Sequence, residues 1–224
     1  MKSLYEISQK NVIDEYDTKV ILSHLGVNIP KGYVLADAIL PDTPFPCVLK
    51  VVDSQILHKS DIGGVILNIK DADQLRQDIQ MMRKRFPKKR LLIEEMVPDK
   101  LEVILGTNLD STFGQVLMIG LGGISAEIFN AVSFGLIPVN RSYLYEMIDE
   151  GPLGKIKDGF RGTKIDIEKL IDYAIVVSDF VNEFRDQIRT LDINPLVFTG
   201  DDWYAVDSKI VLNDIVIKNN NSIL

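Results

Sequence analysis

The octapeptide His58-Lys59-Ser60-Asp61-Ile62-Gly63-Gly64-Val65 gathers residue types that hold and move phosphoryl groups. A neutral imidazole is a competent nucleophile toward phosphorus once a neighbour fixes its tautomer, which makes His58 the candidate for covalent chemistry. Gly63 and Gly64 permit positive φ and can bring successive N–H groups onto an anion, while Ser60 adds a hydroxyl donor and Lys59 a charge. On these residues alone, a tight Gly-Gly turn beside a surface histidine is an equal reading, because Gly-Gly between strands is a common hairpin signal.

A second constellation is formed by Asp192-Ile193-Asn194-Pro195-Leu196 and Ala205-Val206-Asp207. Strands over 188–198 and 203–206, joined through 199–202, make an antiparallel pair that sets Asn194 beside Asp207. Mg²⁺ prefers hard oxygen ligands and is commonly held by one or two protein groups plus nucleotide phosphates, so an Asn and an Asp converging on one point meet that need. Read without context, Asn-Pro is a turn and Asp207 a surface carboxylate. Asp192 is either a further cleft carboxylate or the residue that orients the histidine.

The elements that must position these residues follow from periodicity. Residues 13–25 place Ile13, Tyr16, Val20 and Ile21 on one side of a helix stopped by Gly26, with His24 as a packing or capping residue near its end. A strand over 33–35 leads through the proline-bearing stretch 36–46 into a strand over 47–52. That strand carries Lys50 between apolar neighbours, so its ammonium either snorkels to solvent or serves an anionic ligand. A strand over 65–69 completes a hairpin around the octapeptide, and a helix over 71–82 follows, with Asp71 or Asp73 as N-cap. The basic run 83–90 reads as a solvated helix end.

Residues 91–97 begin as a buried strand and end in two carboxylates, and another strand spans 101–105. Read alone, Glu94, Glu95 and Glu102 are solvent-facing strand residues. A strand over 115–119 precedes Gly120-Leu121-Gly122-Gly123, which lacks the third glycine of the dinucleotide fingerprint; no Walker A pattern is present. A short amphipathic helix carries Leu144, Met147 and Ile148, and the strongest helical pattern runs over 165–184.

Composition sets the limits. The 224 residues are 46% hydrophobic and 25% charged, enough for one large domain or two lobes around a cleft. A net charge of −7 argues against a nucleic-acid binder. A single cysteine, Cys47, rules out an intrachain disulfide or a zinc cluster. The absence of any membrane-length apolar run or signal-peptide core points to the cytoplasm and away from a membrane.

Three segments, HKSDIGGV (58–65), GLGGISAE (120–127) and LDINPL (191–196), carry a resemblance extending over 15–212. They resemble the NDP-forming acyl-CoA synthetases, and in particular the β subunits of ADP-forming acetate–CoA ligases, whose nucleotide-binding part is an ATP-grasp domain. The resemblance implies an α+β ATP-grasp fold with two α+β lobes and the nucleotide cleft between them. Residues 1–97 would form the N-terminal helix and smaller lobe, 98–214 the larger lobe, and 215–224 a flexible tail. It implies ATP/ADP and Mg²⁺ as cofactors. His58 would be the phosphoryl carrier, Lys50 a phosphate contact, and Ser60, Asp61, Gly63 and Gly64 a nucleotide-binding loop. Glu95, Met96 and Val97 would form the adenine hinge and Glu102 would bind ribose. Gly122, Gly123 and Glu127 would line the cleft, and Asn194 and Asp207 would be the metal ligands.

The implied partner is an α subunit carrying the CoA-binding and ligase domains, in an α2β2 assembly. The chain departs from the family at Ala131 and Gly135, where an aspartate and an arginine are usual. The prolines Pro41, Pro44 and Pro46 also argue against the helix that the family usually places within 36–46. Two other readings stand beside the first: a β-like subunit of a succinyl-CoA-synthetase-type ligase, and a non-catalytic ATP-grasp module that senses nucleotide.

Overall fold

The computed structural model describes residues 3–8, 11–35, 43–56, 59–123, 132–159, 162 and 164–214. The stretch 36–42, His58, Glu127, Ala131 and the tail 215–224 lie outside the described residues, and with them the expectations placed there.

Two antiparallel sheets organise these residues. The smaller has the order β2-β5-β3-β4, built from β2 (Gly32–Val34), β3 (Cys47–Val52), β4 (Val65–Ile69) and β5 (Arg90–Glu95). Helix α2 (Ala72–Arg85) lies on it, placing Leu75, Ile79 and Met82 against Cys47, Leu49, Val51 and Ile93. Asp71 caps this helix by accepting from the N–H groups of Asp73 and Gln74, which satisfies two of the donors that a helix start leaves free.

The larger sheet has the order β1-β11-β9-β6-β7-β8, with β10 pairing on β9. Its strands are β1 (Val12–Ile13), β6 (Leu101–Asp110), β7 (Gly114–Leu121), β8 (Val132–Leu136), β9 (Ile188–Phe198), β10 (Trp203–Ala205) and β11 (Ser208–Leu212). Helices α3 (Arg141–Glu150) and α4 (Ile167–Glu183) contribute Leu144, Met147, Ile148, Leu170, Ala174 and Val177 to its core.

The amino-terminal segment departs from expectation in two ways. Strand β1 pairs with β11 of the larger sheet, so this segment joins the second lobe and not the first. Helix α1 (Glu15–His24) buries Glu15, Thr18, Lys19 and Leu22, whereas Val20, assigned to the inner stripe, is exposed. The true phase of the helix turns two charges inward because buried partners wait for them. His24 accepts the capping role, with Nδ1 2.7 Å from the carbonyl of Val20.

Candidate functional site between the two sheets

Lys50 projects from β3, every residue of which is buried. Its ammonium lies 2.7 Å from Glu15 Oε1, 2.9 Å from Glu94 Oε2 and 2.7 Å from the carbonyl oxygen of Val206. The two alternatives read from sequence, solvent or an external anion, are both replaced by protein carboxylates. Lys19 of α1 reaches Glu15 at 2.8 Å and Glu94 at 2.6 Å. Lys59 bonds Glu15 as well, and donates to Asp207 Oδ1 at 2.8 Å. Three ammonium groups thus meet three carboxylates, and the set is neutral.

The network spans both sheets. Lys50 and Glu94 come from the smaller one, Lys59 from the turn between its strands β3 and β4, and Glu15, Lys19, Val206 and Asp207 from segments packed with the larger. Glu94 is 3% exposed, so its reading as a solvent-facing carboxylate is corrected: on β5 it points inward to neutralise Lys19 and Lys50.

Charge and burial oppose each other throughout this network. Burial raises the carboxyl pKa of Glu15, but Lys50, Lys19 and Lys59 outweigh it and hold that carboxyl well below its usual range. Burial lowers the Lys50 and Lys59 ammonium pKa values; Glu15 with Glu94, and Glu15 with Asp207, respectively, more than reverse this. Lys19 is pulled down by burial and by the like charge of Lys50. Asp207 is pushed up by burial and by Glu15, against Lys59 and Lys50.

Asn194 and Asp207 occupy directly opposed positions where β9 faces the step between β10 and β11. The pairs Leu196↔Ala205 and Ile193↔Ser208 bracket them, and Asn194 N–H donates to the Asp207 carbonyl at 3.0 Å. The antiparallel pairing read from sequence is therefore present in that register. Asp192 lies two residues along β9, its carboxyl pKa raised by burial and by Asp207, against the pull of Lys209.

These groups wall a cavity of about 280 Å³ that also touches Glu15, Lys59, Ser60 and Asp61. Ser208, 2% exposed in the same wall, has a hydroxyl with no hydrogen-bond partner among the described residues. Among those residues no cluster of three or more His, Cys, Asp and Glu side chains forms a metal cage. The donor set fits Mg²⁺ nonetheless, since an amide and a carboxylate oxygen supply the hard, partial coordination that phosphate oxygens complete.

The glycine loop is built differently from expectation. Gly63 has φ +65°, but its N–H donates to the Ser60 carbonyl at 3.0 Å, and the Gly64 N–H donates to the Lys59 carbonyl at 2.6 Å. Their N–H groups close the turn and do not face an anion. A Cβ on Gly64 would stand 2.6 Å from Val51 Cγ1, so this glycine is required by close approach to β3. The carboxyl end of the basic run is paired at the cavity edge: Lys89 bonds Asp53, and Arg90 bonds Asp14 and Asp17.

The remaining expected site residues lie away from the cavity wall. Glu102 on β6 approaches the turn after β7: Gly122 N–H donates to its carbonyl at 2.8 Å, and a Cβ on Gly123 would come within 2.9 Å of its carboxylate. Burial, aided by Asp99, raises the Glu102 pKa. Glu95 pairs with Lys31 through both its main chain and its carboxylate, and the Met96 N–H donates to the Pro46 carbonyl. Val97 follows them, half-buried.

Sequence reading missed Glu15, Lys19 and Ser208 as site residues. The only local signal for the first two is their i,i+4 spacing, a pattern ordinarily read as an exposed helix pair.

The ATP-grasp domain family matches residues 6–212. The β subunit of acetate–CoA ligase [ADP-forming] I from Pyrococcus furiosus is 36% identical over 211 residues, covering 88% of this chain and 90% of that subunit. Acetate–CoA ligase [ADP-forming] from Methanocaldococcus jannaschii is 35% identical over 201 residues, 82% of this chain, and the chain spans only 28% of that longer protein. Among solved structures, the acetyl-coenzyme A synthetase 1 of Ca. Korarchaeum cryptofilum is similar with a TM-score of 0.77 at 29% identity, covering 91% of this chain and 93% of that one. It is in complex with coenzyme A and Mg-AMPPCP, its phosphohistidine segment pointing towards the nucleotide binding site. With an antiparallel sheet on either side of a charged cavity and these matches along nearly its whole length, the chain belongs to the ATP-grasp domain family, beside the β subunits of ADP-forming acetate–CoA ligases.

Proposed function

We propose that this chain is the nucleotide-binding β subunit of an ADP-forming acetate–CoA ligase and passes a phosphoryl group between a histidine and ADP. The overall reaction is acyl-CoA + ADP + phosphate giving acid + CoA + ATP, and its reverse. One observation carries the reading: Lys59, from the turn between β3 and β4 of the smaller sheet, and the oxygen groups of Asn194 and Asp207 from the larger one line a single cavity. The Korarchaeum relative, which holds Mg-AMPPCP, supports it.

In this reading His58, next to Lys59 in sequence, accepts the phosphoryl group from an α subunit that carries the CoA-binding and ligase domains, and delivers it to ADP. Phosphoryl transfer asks little of a protein beyond positioning and charge neutralisation. Lys59 supplies positive charge facing the phosphates, with Lys50 behind it on the shared Glu15 carboxylate, and Ser60 and Asp61 shape the rim. Asn194 and Asp207 would hold Mg²⁺, which when bound neutralises phosphate charge. Glu102, beside Gly122 and Gly123, serves the ribose, and the 95–97 segment the adenine. An α2β2 assembly follows the same reading.

The test is incubation of the chain with its α partner and γ-labelled Mg-ATP, with His58→Asn in parallel. Acid-labile, alkali-stable label on the wild-type chain and none on the variant is the expected result. Full ligase activity in His58→Asn would remove the histidine relay.

A further inference from the structure

The carboxylate of Glu15 touches every lysine of the interlobe network and is itself 3% exposed as a residue. One oxygen, Oε1, takes Lys19 and Lys50; the other, Oε2, takes Lys59. It also lines the cavity that Asn194 and Asp207 wall. Its place on α1 is fixed from both sides. Asp14 caps the helix by accepting from Asp17 N–H, and β1, immediately before it, is zipped onto β11.

Such a group has two opposed effects on a phosphate chain entering the cavity. It holds the Lys59 ammonium, the one of its three partners that lines the cavity, at a fixed point, which lowers the entropy lost when that group grips an anion. It also competes for that same ammonium group, and its negative charge repels the anion. Lys59 is divided in a further way, since its second partner is Asp207, the proposed metal ligand.

We propose that Glu15 is a positioning residue for phosphoryl transfer: it aims Lys59 into the cavity at the expense of tighter phosphate binding. The inference rests on the nucleotide-binding reading above. It differs from a purely structural role in requiring affinity and rate to move in opposite directions. Glu15→Gln keeps the shape and removes the charge, so Lys59 is freed from a competitor but loses its fixed point. Glu15→Asp keeps the charge and shortens the reach by one methylene.

Two measurements decide the matter: calorimetric affinity for ATP and for inorganic triphosphate, and the rate of ADP phosphorylation in the complex with the α partner. Glu15→Gln is expected to bind triphosphate and ATP about tenfold more tightly while the rate falls about 100-fold. Glu15→Asp is expected to keep affinity within about twofold and lose about tenfold in rate. Wild-type affinity and rate in Glu15→Gln overturn the proposal, as does a parallel loss of both in a variant with an unchanged melting temperature. If Glu15→Gln does not fold, Glu15→Asp decides alone, and a wild-type rate in it overturns the proposal. Wild-type protein that binds triphosphate but not ATP would refute the nucleotide reading while leaving the affinity prediction for Glu15 testable with triphosphate.

Discussion

Lys50 is only 4% exposed, and its charge is tolerable only because Glu15 and Glu94 lie within 3 Å of it. Removing one member of such a set strands the others, at a cost of about 3–5 kcal/mol. Lys50→Met should lower the unfolding free energy by about that amount, measured by urea denaturation. Lys50→Met combined with Glu94→Leu should recover most of the loss, since the pair leaves together. A charge inside the apolar run 47–52 marks Lys50 as unusual in the sequence itself. Its partners were not legible, because Glu15 and Glu94 belong to separate elements and the fold alone brings them to one point. Asn194 and Asp207 were legible for the opposite reason: a hairpin register relates them, and register follows from two adjacent strands.

At the level of elements, strong periodicity and clear stops gave β3, β4, α2 and α4 nearly their observed bounds. Helix α1 failed at its phase, because periodicity assigns the buried side to apolar residues and here Glu15 and Lys19 occupy it. Strand β8 was not foreseen. It is a short run broken by Gly135, and only pairing with β7 makes it a strand. The same glycine explains one departure from the family. A Cβ at 135 would stand 2.5 Å from Met147 Sδ and 2.9 Å from Tyr143 Cε1, both on α3, so this helix occupies the space an arginine would need. Gly135→Ala should destabilise the protein by about 1–3 kcal/mol through overpacking, read as a lower melting temperature. An unchanged melting temperature would mean that α3 moves away freely.

Across the whole molecule, the buried network sets a pH window. Glu15 has a folded pKa below its ordinary 4.5, so its contribution is complete above that value and is lost as pH falls below it. Lys50 and Lys59 are raised above their ordinary 10.5, so theirs is complete below that value and is lost as pH rises through their folded pKa values. Asp207 and Asp192 are raised above 3.8 and soften the acid limb in the opposite sense, and Lys19, lowered below 10.5, softens the alkaline limb likewise. Denaturant midpoints should therefore form a plateau from about pH 5 to about pH 10, with a shallower acid limb in Glu15→Gln. An identical acid limb in that variant would assign the acid loss to other carboxylates.

The single tryptophan of the chain gives this architecture a built-in optical reporter. Trp203 is fully buried on β10, its ring 4.9 Å from that of Phe198 and its Nε1–H donated to the Asp166 carbonyl at 2.7 Å. Its emission colour therefore follows solvent entry into the larger core alone, while circular dichroism sums both sheets. Superimposable melting curves from the two signals would mean that the salt-bridged halves open as one cooperative unit, and separated curves that the smaller sheet can loosen in advance.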